Sequence, residues 1–224
     1  MDLVKNKQKK ICVLGGTGFL GQHLVPKLIA SNYEVQVVTR KKVDVHDLNK
    51  LSEHVRGSDI IINLVGILNE KGHNGDGFYY NHTKFTEKVI NACVANDIRK
   101  ILHVSALNAS TNAPSFYLKS KGEAEHILRM FSSDKNQVVI FRPSVIFGNG
   151  DGFFNRFVNL LRFIPLVFPL ACANTRFAPV FVGDIVDCIT QSLENTSQPY
   201  TEYNLCGPNE YTLRQLVAYT AALM

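Results

Sequence analysis

Two tyrosine–lysine pairs and one run of glycines hold the residues of this sequence whose types and spacing could do chemistry. Tyr80-Asn-His-Thr-Lys84 and Tyr117-Leu-Lys-Ser-Lys121 each place a phenol four residues before an ammonium. On a helix that spacing puts both groups on one face, one turn apart. A nearby ammonium lowers a phenol's pKa and favours the phenolate that moves a proton to or from a carbonyl or alcohol. With eight tyrosines in the chain, one such match is expected by chance, so spacing alone does not choose between them. Position does. Tyr117 follows a strand ending at Ser105, whereas Tyr80 follows a glycine-rich loop and is expected to pack.

The glycine run is Gly15-Gly-Thr-Gly-Phe-Leu-Gly21. Before it, Ile11 to Leu14 reads as a short buried strand. After it, Phe19, Leu20, Leu24, Leu28 and Ile29 recur at helical spacing. Strand, glycine turn and helix together satisfy G-x-G-x-x-G through Gly16, Gly18 and Gly21, and G-x-x-G-x-x-G through Gly15, Gly18 and Gly21. Such a turn leaves the strand sharply, lets backbone approach a pyrophosphate and lets helix pack close to sheet. The first-turn N–H groups, aided by the helix dipole, then face the phosphates. Gly15, Thr17, Gly18, Phe19, Leu20 and Gly21 are the expected contacts of a bound dinucleotide. The plain alternative is a βα turn with no ligand.

The cofactor's identity is read at the end of the next strand, Glu34 to Thr39. An acidic residue there accepts from the ribose hydroxyls of NAD. Here Arg40, Lys41 and Lys42 follow instead. An arginine pairs with a 2′-phosphate, so NADP(H) is expected in preference to NAD(H), with Arg40 as the contact. Asp44 and Val45 lie where an adenine would rest. The plain alternative is a solvated basic loop.

The remaining elements must position these groups. Pro26 should kink the first helix. Val43 to Val45 is a short third-strand candidate, and Asp47 to Arg56 fits a helix. Asp59 to Val65 is an apolar strand. Asn69 to Gly77 reads as a mobile loop, and Phe78 to Asn96 as a helix. Lys100 to Ser105 is a strand, Ser115 to Phe131 a helix, and Gln137 to Phe141 a strand ended by Arg142-Pro143. Strands that alternate with helices predict an α/β fold, a Rossmann-type doubly wound parallel sheet covered on both faces. From Gly148 the pattern changes: a glycine turn, an apolar helix from Phe153 to Phe163, a strand at Val180 to Val182, a helix capped by Asp184, a strand at Tyr203 to Cys206 and a helix capped by Thr212. The expected division is a nucleotide-binding domain over 1–150 and a small C-terminal lobe over 151–224, interleaved with the sheet.

Bulk properties narrow the classes. A net charge of +5, from 24 Lys and Arg against 19 Asp and Glu, is mild. No basic stripe carries interleaved aromatics, so no nucleic-acid partner is expected. Cys12, Cys93, Cys172, Cys188 and Cys206 form no C-x-x-C pair, which argues for reduced thiols in a cytosol-like compartment and against a metal site. No signal peptide is expected before so early a strand. The longest apolar run, Phe163 to Ala173, has 11 residues and two prolines, too short and broken to span a bilayer. The stripe of Phe153, Phe154, Phe157, Leu160, Leu161 and Ile164 is expected to pack in the C-terminal lobe. The sharper alternative is a surface for a membrane protein or a quinone tail.

With these motifs together the sequence resembles the short-chain dehydrogenase/reductase superfamily, in its extended and atypical branches. The residues that carry the resemblance are Gly15-Gly-Thr-Gly-Phe-Leu-Gly21, Asn63-Leu-Val-Gly66, His103-Val-Ser-Ala-Leu107, Tyr117-Leu-Lys-Ser-Lys-Gly-Glu123, Phe141-Arg-Pro-Ser-Val-Ile-Phe-Gly148 and Phe177-Ala-Pro-Val-Phe-Val-Gly-Asp184. The combination is most similar to the atypical group that contains the nucleotide-binding accessory subunit of respiratory complex I. The resemblance implies bound NADP(H) bordered by Leu64, Val65 and Gly66. Tyr117 would be the acid/base, Lys121 its partner on the nicotinamide ribose, and Ser105 the third member. Pro143 and Val145 would line the nicotinamide. Active members carry a serine-rich stretch where this chain has Ser105-Ala106-Leu107. Two functions follow from the resemblance: an NADP(H)-dependent oxidoreductase or sugar epimerase/dehydratase acting on a small molecule or quinone, or a non-catalytic NADP(H)-binding accessory or redox-sensing subunit. The implied setting is a respiratory-complex partner, with the protein cytoplasmic or peripheral at the inner membrane.

One spacing does not fit this scheme. A crossover between parallel neighbours needs about a dozen residues or more. Between Thr39 and Val43 only Arg40, Lys41 and Lys42 intervene. Either the third strand is absent, or it forms a hairpin, or residues are missing there. Missing residues are the expectation, and the helix that runs to Met224 suggests a lost C-terminal segment as well.

Overall fold

A computed structural model of the chain describes residues 8–39, 47–163, 170–194 and 198–224. The first half alternates strand and helix: β1 (Lys10–Leu14), α1 (Phe19–Ala30), β2 (Glu34–Val38), α2 (Leu48–Val55), β3 (Ile60–Asn63), α3 (Asp76–Phe78), a π-helical turn (Tyr79–Lys84), α4 (Phe85–Ala95), β4 (Lys100–Val104), α5 (Phe116–Phe131) and β5 (Gln137–Pro143). Then come β6 (Ile146–Phe147), α6 (Phe154–Phe163), β7 (Arg176–Phe177), β8 (Val180–Phe181), α7 (Val182–Gln191), β9 (Tyr200–Leu205), β10 (Tyr211–Thr212) and α8 (Leu213–Ala222).

Six strands form one parallel sheet in the order β2-β1-β3-β4-β5-β9. Strand alternation explains why the central runs Ile11–Leu14, Ile60–Ile62 and Val138–Phe141 are apolar, whereas the edge strands β2 and β9 carry Glu34, Gln36 and Glu202. Ile11 and Val13 face α1 and α7, through Leu20, Leu24, Leu28, Ile185 and Ile189. Cys12 and Leu14 face the opposite layer, where Leu51, Val55, Phe85, Val89 and Leu128 pack from α2, α4 and α5. A sheet covered on both faces needs both sets of side chains to be hydrophobic. The chain crosses from β1 to β2 on one side and returns to β3 on the other. The reversal lies between β1 and β3, and in such sheets the crevice beyond the strands' carboxyl ends at that point is the usual ligand site.

Beyond the sheet, β10 pairs antiparallel with β7, β6 pairs parallel with β8, and α6 packs on α8. The rings of Phe153, Phe154, Phe157, Phe147 and Phe177 meet edge-on or tilted, 5.2–6.3 Å apart. Most of the α6 stripe is therefore half-buried in an aromatic cluster, with Leu160 left exposed and Ile164 outside the described residues.

Several sequence expectations need correction. Asp184 does not cap α7: Phe181 holds that place, and Asp184 lies in the first turn, where its charge complements the helix dipole from within. The β5 strand runs through Arg142 and Pro143, because a proline lacks only a donor and its carbonyl still accepts from Leu107 N at 2.9 Å. The helix expected over Phe78 to Asn96 is interrupted by the π turn, which buries His82 and Thr83. The same widened turn leaves Tyr80 58% exposed, so it does not pack as expected. Thr212 does cap α8, in a reciprocal capping box with Gln215. Among the described residues no helix is long and apolar enough to cross a membrane. The third-strand segment and any shortening between Thr39 and Val43 lie outside the described residues.

One buried glycine fixes how closely α5 approaches the loop after β4. A Cβ on Gly122 would overlap the backbone of Ser110. Gly122→Ala should therefore destabilise the fold by about 1–3 kcal/mol, the usual cost of overpacking. The urea midpoint is the check. An unchanged midpoint would show that the loop yields freely.

Candidate functional site

The glycine turn is built by close backbone contact. Gly15 has φ +81°, and a Cβ there would sit 3.2 Å from the Leu64 carbonyl carbon and Val65 N. A side chain at Gly15 would thus be strained and would also wedge β1's turn away from the end of β3. A Cβ on Gly21 would meet the Gly16 backbone at 2.5 Å, so α1 also starts tight against the turn. Gly18 is the N-cap of α1, and no side chain caps it. Thr17 and Gly18 are exposed, Phe19 is half-buried, and Leu20 and Gly21 are buried. An uncapped helix start, reached through a cradle that side chains would fill, fits the pyrophosphate of a dinucleotide.

The other strand ends face the same crevice. Leu64 N donates to Leu14 O at 2.9 Å, and Val65 N to Asn63 Oδ1 at 3.0 Å. Gly66 is exposed, and a Cβ there would lie 3.1 Å from Lys121 Nζ. Ser105 N donates to Phe141 O at 2.7 Å. Pro143 accepts from Leu107, and Val145 O accepts from Val180 N at 2.9 Å. The structure thus brings Gly15–Gly21, Leu64–Gly66, Ser105, Pro143, Val145, Tyr117 and Lys121 to one edge of the sheet. Arg40, Asp44 and Val45 lie outside the described residues.

Helix α5 carries Tyr117 and Lys121. Its N-cap, Ser115, accepts from Leu118 N at 3.2 Å. Lys121 is buried and donates from Nζ to Val104 O at 3.1 Å. Burial pushes its pKa down to about 8, against the opposing pull of Glu125. Burial also raises the Tyr117 phenol above its usual value. The expected lowering of that phenol by its lysine is therefore not what the geometry gives, because burial of the phenol dominates. Ser105 is 4% exposed, and its Oγ has no hydrogen-bond partner among the described residues.

Four polar residues that the sequence reading did not single out lie between the sheet and α4–α5. Asn63 and His103 are register partners on β3 and β4, with Nδ2 to Nδ1 at 3.1 Å. Val65 N–H can only donate, which fixes Asn63 Oδ1 as its acceptor and Nδ2 as the donor to His103. His103 must then carry its proton on Nε2, a buried atom with no partner among the described residues. His82 and Ser120 meet at 2.8 Å. A signal existed for one pair only: Asn63 closes the apolar β3, and His103 interrupts the apolar run Ile101-Leu102-His103-Val104 of β4. Nothing in the spacing marked His82 or Ser120.

The buried histidines make a pH prediction. Burial, then Lys121, lower His82 to about 3, and the same causes with His82 hold His103 well below its usual value. The unfolded chain therefore binds more protons than the folded one between about pH 3 and 6.5, and stability must rise with pH across that window. Urea midpoints measured from pH 4.5 to 7 should climb. The climb should be smaller in His82→Gln; an equal slope in both proteins would remove His82 from the account.

Comparison with known proteins agrees with this architecture. The model of the NAD dependent epimerase/dehydratase family matches residues 11–206. The mitochondrial NADH dehydrogenase [ubiquinone] 1 alpha subcomplex subunit 9 of Mus musculus is 28% identical over 227 residues, covering 92% of this chain and 59% of its own length. N-acetyl-alpha-D-glucosaminyl-diphospho-ditrans,octacis-undecaprenol 4-epimerase of Escherichia coli O157:H7 is 26% identical over 235 residues, covering 93% of this chain and 70% of its own length. Among solved structures, MoeE5 in complex with UDP-glucose and NAD superposes with a TM-score of 0.83 at 20% identity, over 96% of this chain and 82% of that one. That likeness concerns the fold. The chain spans a little under two thirds of the length of the complex I subunits it matches. With a family model covering most of its length and the glycine cradle in place, the chain belongs to the NAD dependent epimerase/dehydratase family, an extended branch of the short-chain dehydrogenase/reductases.

Proposed function

We propose that this chain is an NADP(H)-binding accessory protein of a respiratory complex I-type assembly, holding the nucleotide as a resident cofactor. The observation that carries the reading is the contrast between the two halves of the site. The glycine cradle is open at an uncapped helix, whereas Ser105 is buried and the Lys121 ammonium is tied to a backbone carbonyl. The relatedness to complex I subunits supports the setting, peripheral at the inner membrane or in the adjoining soluble compartment. Residues 1–150 would hold the nucleotide and 151–224 would meet the substrate or partner.

In this reading the first turn of α1 binds the pyrophosphate, with Thr17 and Gly18 at its mouth. Leu64, Val65 and Gly66 border the nucleotide on one side, and Pro143 and Val145 on the other. Arg40 pairs with the 2′-phosphate, and Asp44 and Val45 flank the adenine. The basic triplet at Arg40–Lys42 supports NADP(H) over NAD(H). When bound, the nicotinamide supplies a hydride donor or acceptor. Under turnover, Lys121 would have to leave the Val104 carbonyl to orient the ribose, and Tyr117 would hold the proton that a carbonyl or alcohol exchanges.

A second reading is turnover by that Tyr117–Lys121 pair, one helical turn apart on α5, with a quinone, carbonyl compound or sugar nucleotide as substrate. The bacterial 4-epimerase among the relatives favours the last class.

Titration with NADPH and NADH separates the cofactors. NADPH should bind tighter, and Arg40→Ala should weaken it by about 1.5–3 kcal/mol, the worth of a charge-assisted contact. Equal or tighter NADH binding, unchanged in Arg40→Ala, would contradict the preference. NADPH oxidation with quinones, carbonyls and sugar nucleotides tests the role. The accessory reading expects no turnover above background. Turnover reduced roughly 10²- to 10⁴-fold in Tyr117→Phe would establish the second reading instead.

A further inference from the structure

His82 lies at the centre of the site without belonging to any recognised pattern. It sits in the π turn, a rare helical form frequent at functional sites, and is 1% exposed. Its Nε2 is 3.1 Å from Ile67 N. A backbone N–H can only donate, so Nε2 accepts and a neutral ring must carry its proton on Nδ1. Nδ1–H then donates to Ser120 Oγ at 2.8 Å, and Ser120 O–H donates to the Tyr117 carbonyl at 2.9 Å. The neighbouring Thr83 hydroxyl lies 3.1 Å from the Ser120 carbonyl.

The ring also shapes what surrounds it. Tyr117 stands edge-on to it at 5.5 Å, Phe78 stacks on it at 5.8 Å, and those two rings meet each other at 5.7 Å. A Cβ on Gly66 would sit 3.6 Å from Nε2 and 3.1 Å from Lys121 Nζ. One imidazole thus touches the loop after β3, the first turn of α5 and the tyrosine ring.

We propose that His82 is a positioning residue: a tautomer-fixed clamp that ties the loop after β3 to α5, and so holds Gly66, Tyr117 and Lys121 in register for the nucleotide. The inference rests on the reading of this edge as a nicotinamide-nucleotide site. An imidazolium cannot serve, because it would set a donor against the Ile67 N–H. The groups facing the ring agree with a neutral state. Burial disfavours the charged ring most, Lys121 from α5 disfavours a second positive charge, and His103 on β4 is itself held neutral by the same causes. Glu123 is the nearby carboxylate, and it meets the Thr83 hydroxyl rather than the ring.

The test uses the full chain labelled with ¹⁵N. The His82 nitrogens should report the Nδ1–H tautomer and should not titrate between about pH 5 and 8, where an ordinary histidine does. An Nε2–H tautomer, or a midpoint near about 6.5, would overturn the clamp. His82→Leu should weaken NADPH binding on the order of tenfold and speed amide exchange at Ile67, as loss of a buried hydrogen bond requires. His82→Gln, whose carbonyl can accept from Ile67, should restore most of both. A folded Leu variant with unchanged affinity and exchange would contradict the inference. If the Leu variant does not fold, the tautomer and titration of the wild type decide. If the wild type shows the expected tautomer and exchange but takes up no NADPH, the nucleotide reading of the site falls, and with it the positioning role.

Discussion

The structure depends on one backbone contact. The turn after β1 and the end of β3 meet closely, and at position 15 a side chain would be strained by φ +81° and would crowd the backbone of Leu64 and Val65 at 3.2 Å. That approach sits where the sheet's winding reverses, so the crevice above it opens between two strands whose crossovers leave in opposite directions. Tight packing of Gly21 on Gly16 then aims the start of α1 into the crevice. Each glycine is destabilising in the unfolded-state balance, since it has more backbone freedom to lose. Their concentration in seven residues is intelligible as a cradle for an anion, not as a way to build a stable turn.

A second constraint governs the other wall. Beyond Leu64, whose N–H still meets the Leu14 carbonyl, the loop after β3 leaves the sheet, and two of its N–H groups are met by side chains. Asn63 takes Val65, and His82 takes Ile67, two residues further on. Both acceptors are buried, and both bring a further polar contact from a neighbouring element: His103 on β4 and Ser120 on α5. The polar groups between the sheet and α4–α5 are thus a supporting layer beneath the nucleotide site. Desolvation in that layer lowers the affinity of Lys121, His82 and His103 for protons. It also raises the Tyr117 phenol, opposing the role that the spacing alone suggested.

The sheet was legible because its strands are apolar on both faces: Ile11 to Leu14, Ile60 to Ile62 and Val138 to Phe141 leave no other reading. The glycine turn was legible because its flanking strand and helix were. What escaped was set by tertiary packing. A π turn has no hydrophobic period of its own, so Tyr80 read as inward and His82 was passed over within the decoy pair. Asp184 read as a cap because acidic residues favour both the cap and the first turn, and sequence does not separate the cap from a place three positions on. The aromatic stripe of α6 was legible as packing for its phenylalanines but not for Leu160. Of the expected site residues, Arg40, Asp44 and Val45 rest on sequence alone.

Gly18 gives the most direct test that the cradle holds a dinucleotide. It is the N-cap of α1, with φ −74° and ψ 175°, a conformation open to any residue. Aspartate is among the preferred N-caps, which offsets the 3.3 Å approach of its Cβ to the Gly15 carbonyl oxygen, so Gly18→Asp should fold with a stability near that of the wild type. Its carboxylate would occupy the place of the pyrophosphate and repel it. Calorimetric titration of both proteins with NADPH should show one-to-one uptake by the wild type and loss of uptake by the folded variant. Undiminished uptake by Gly18→Asp, or none by the wild type, would contradict the account.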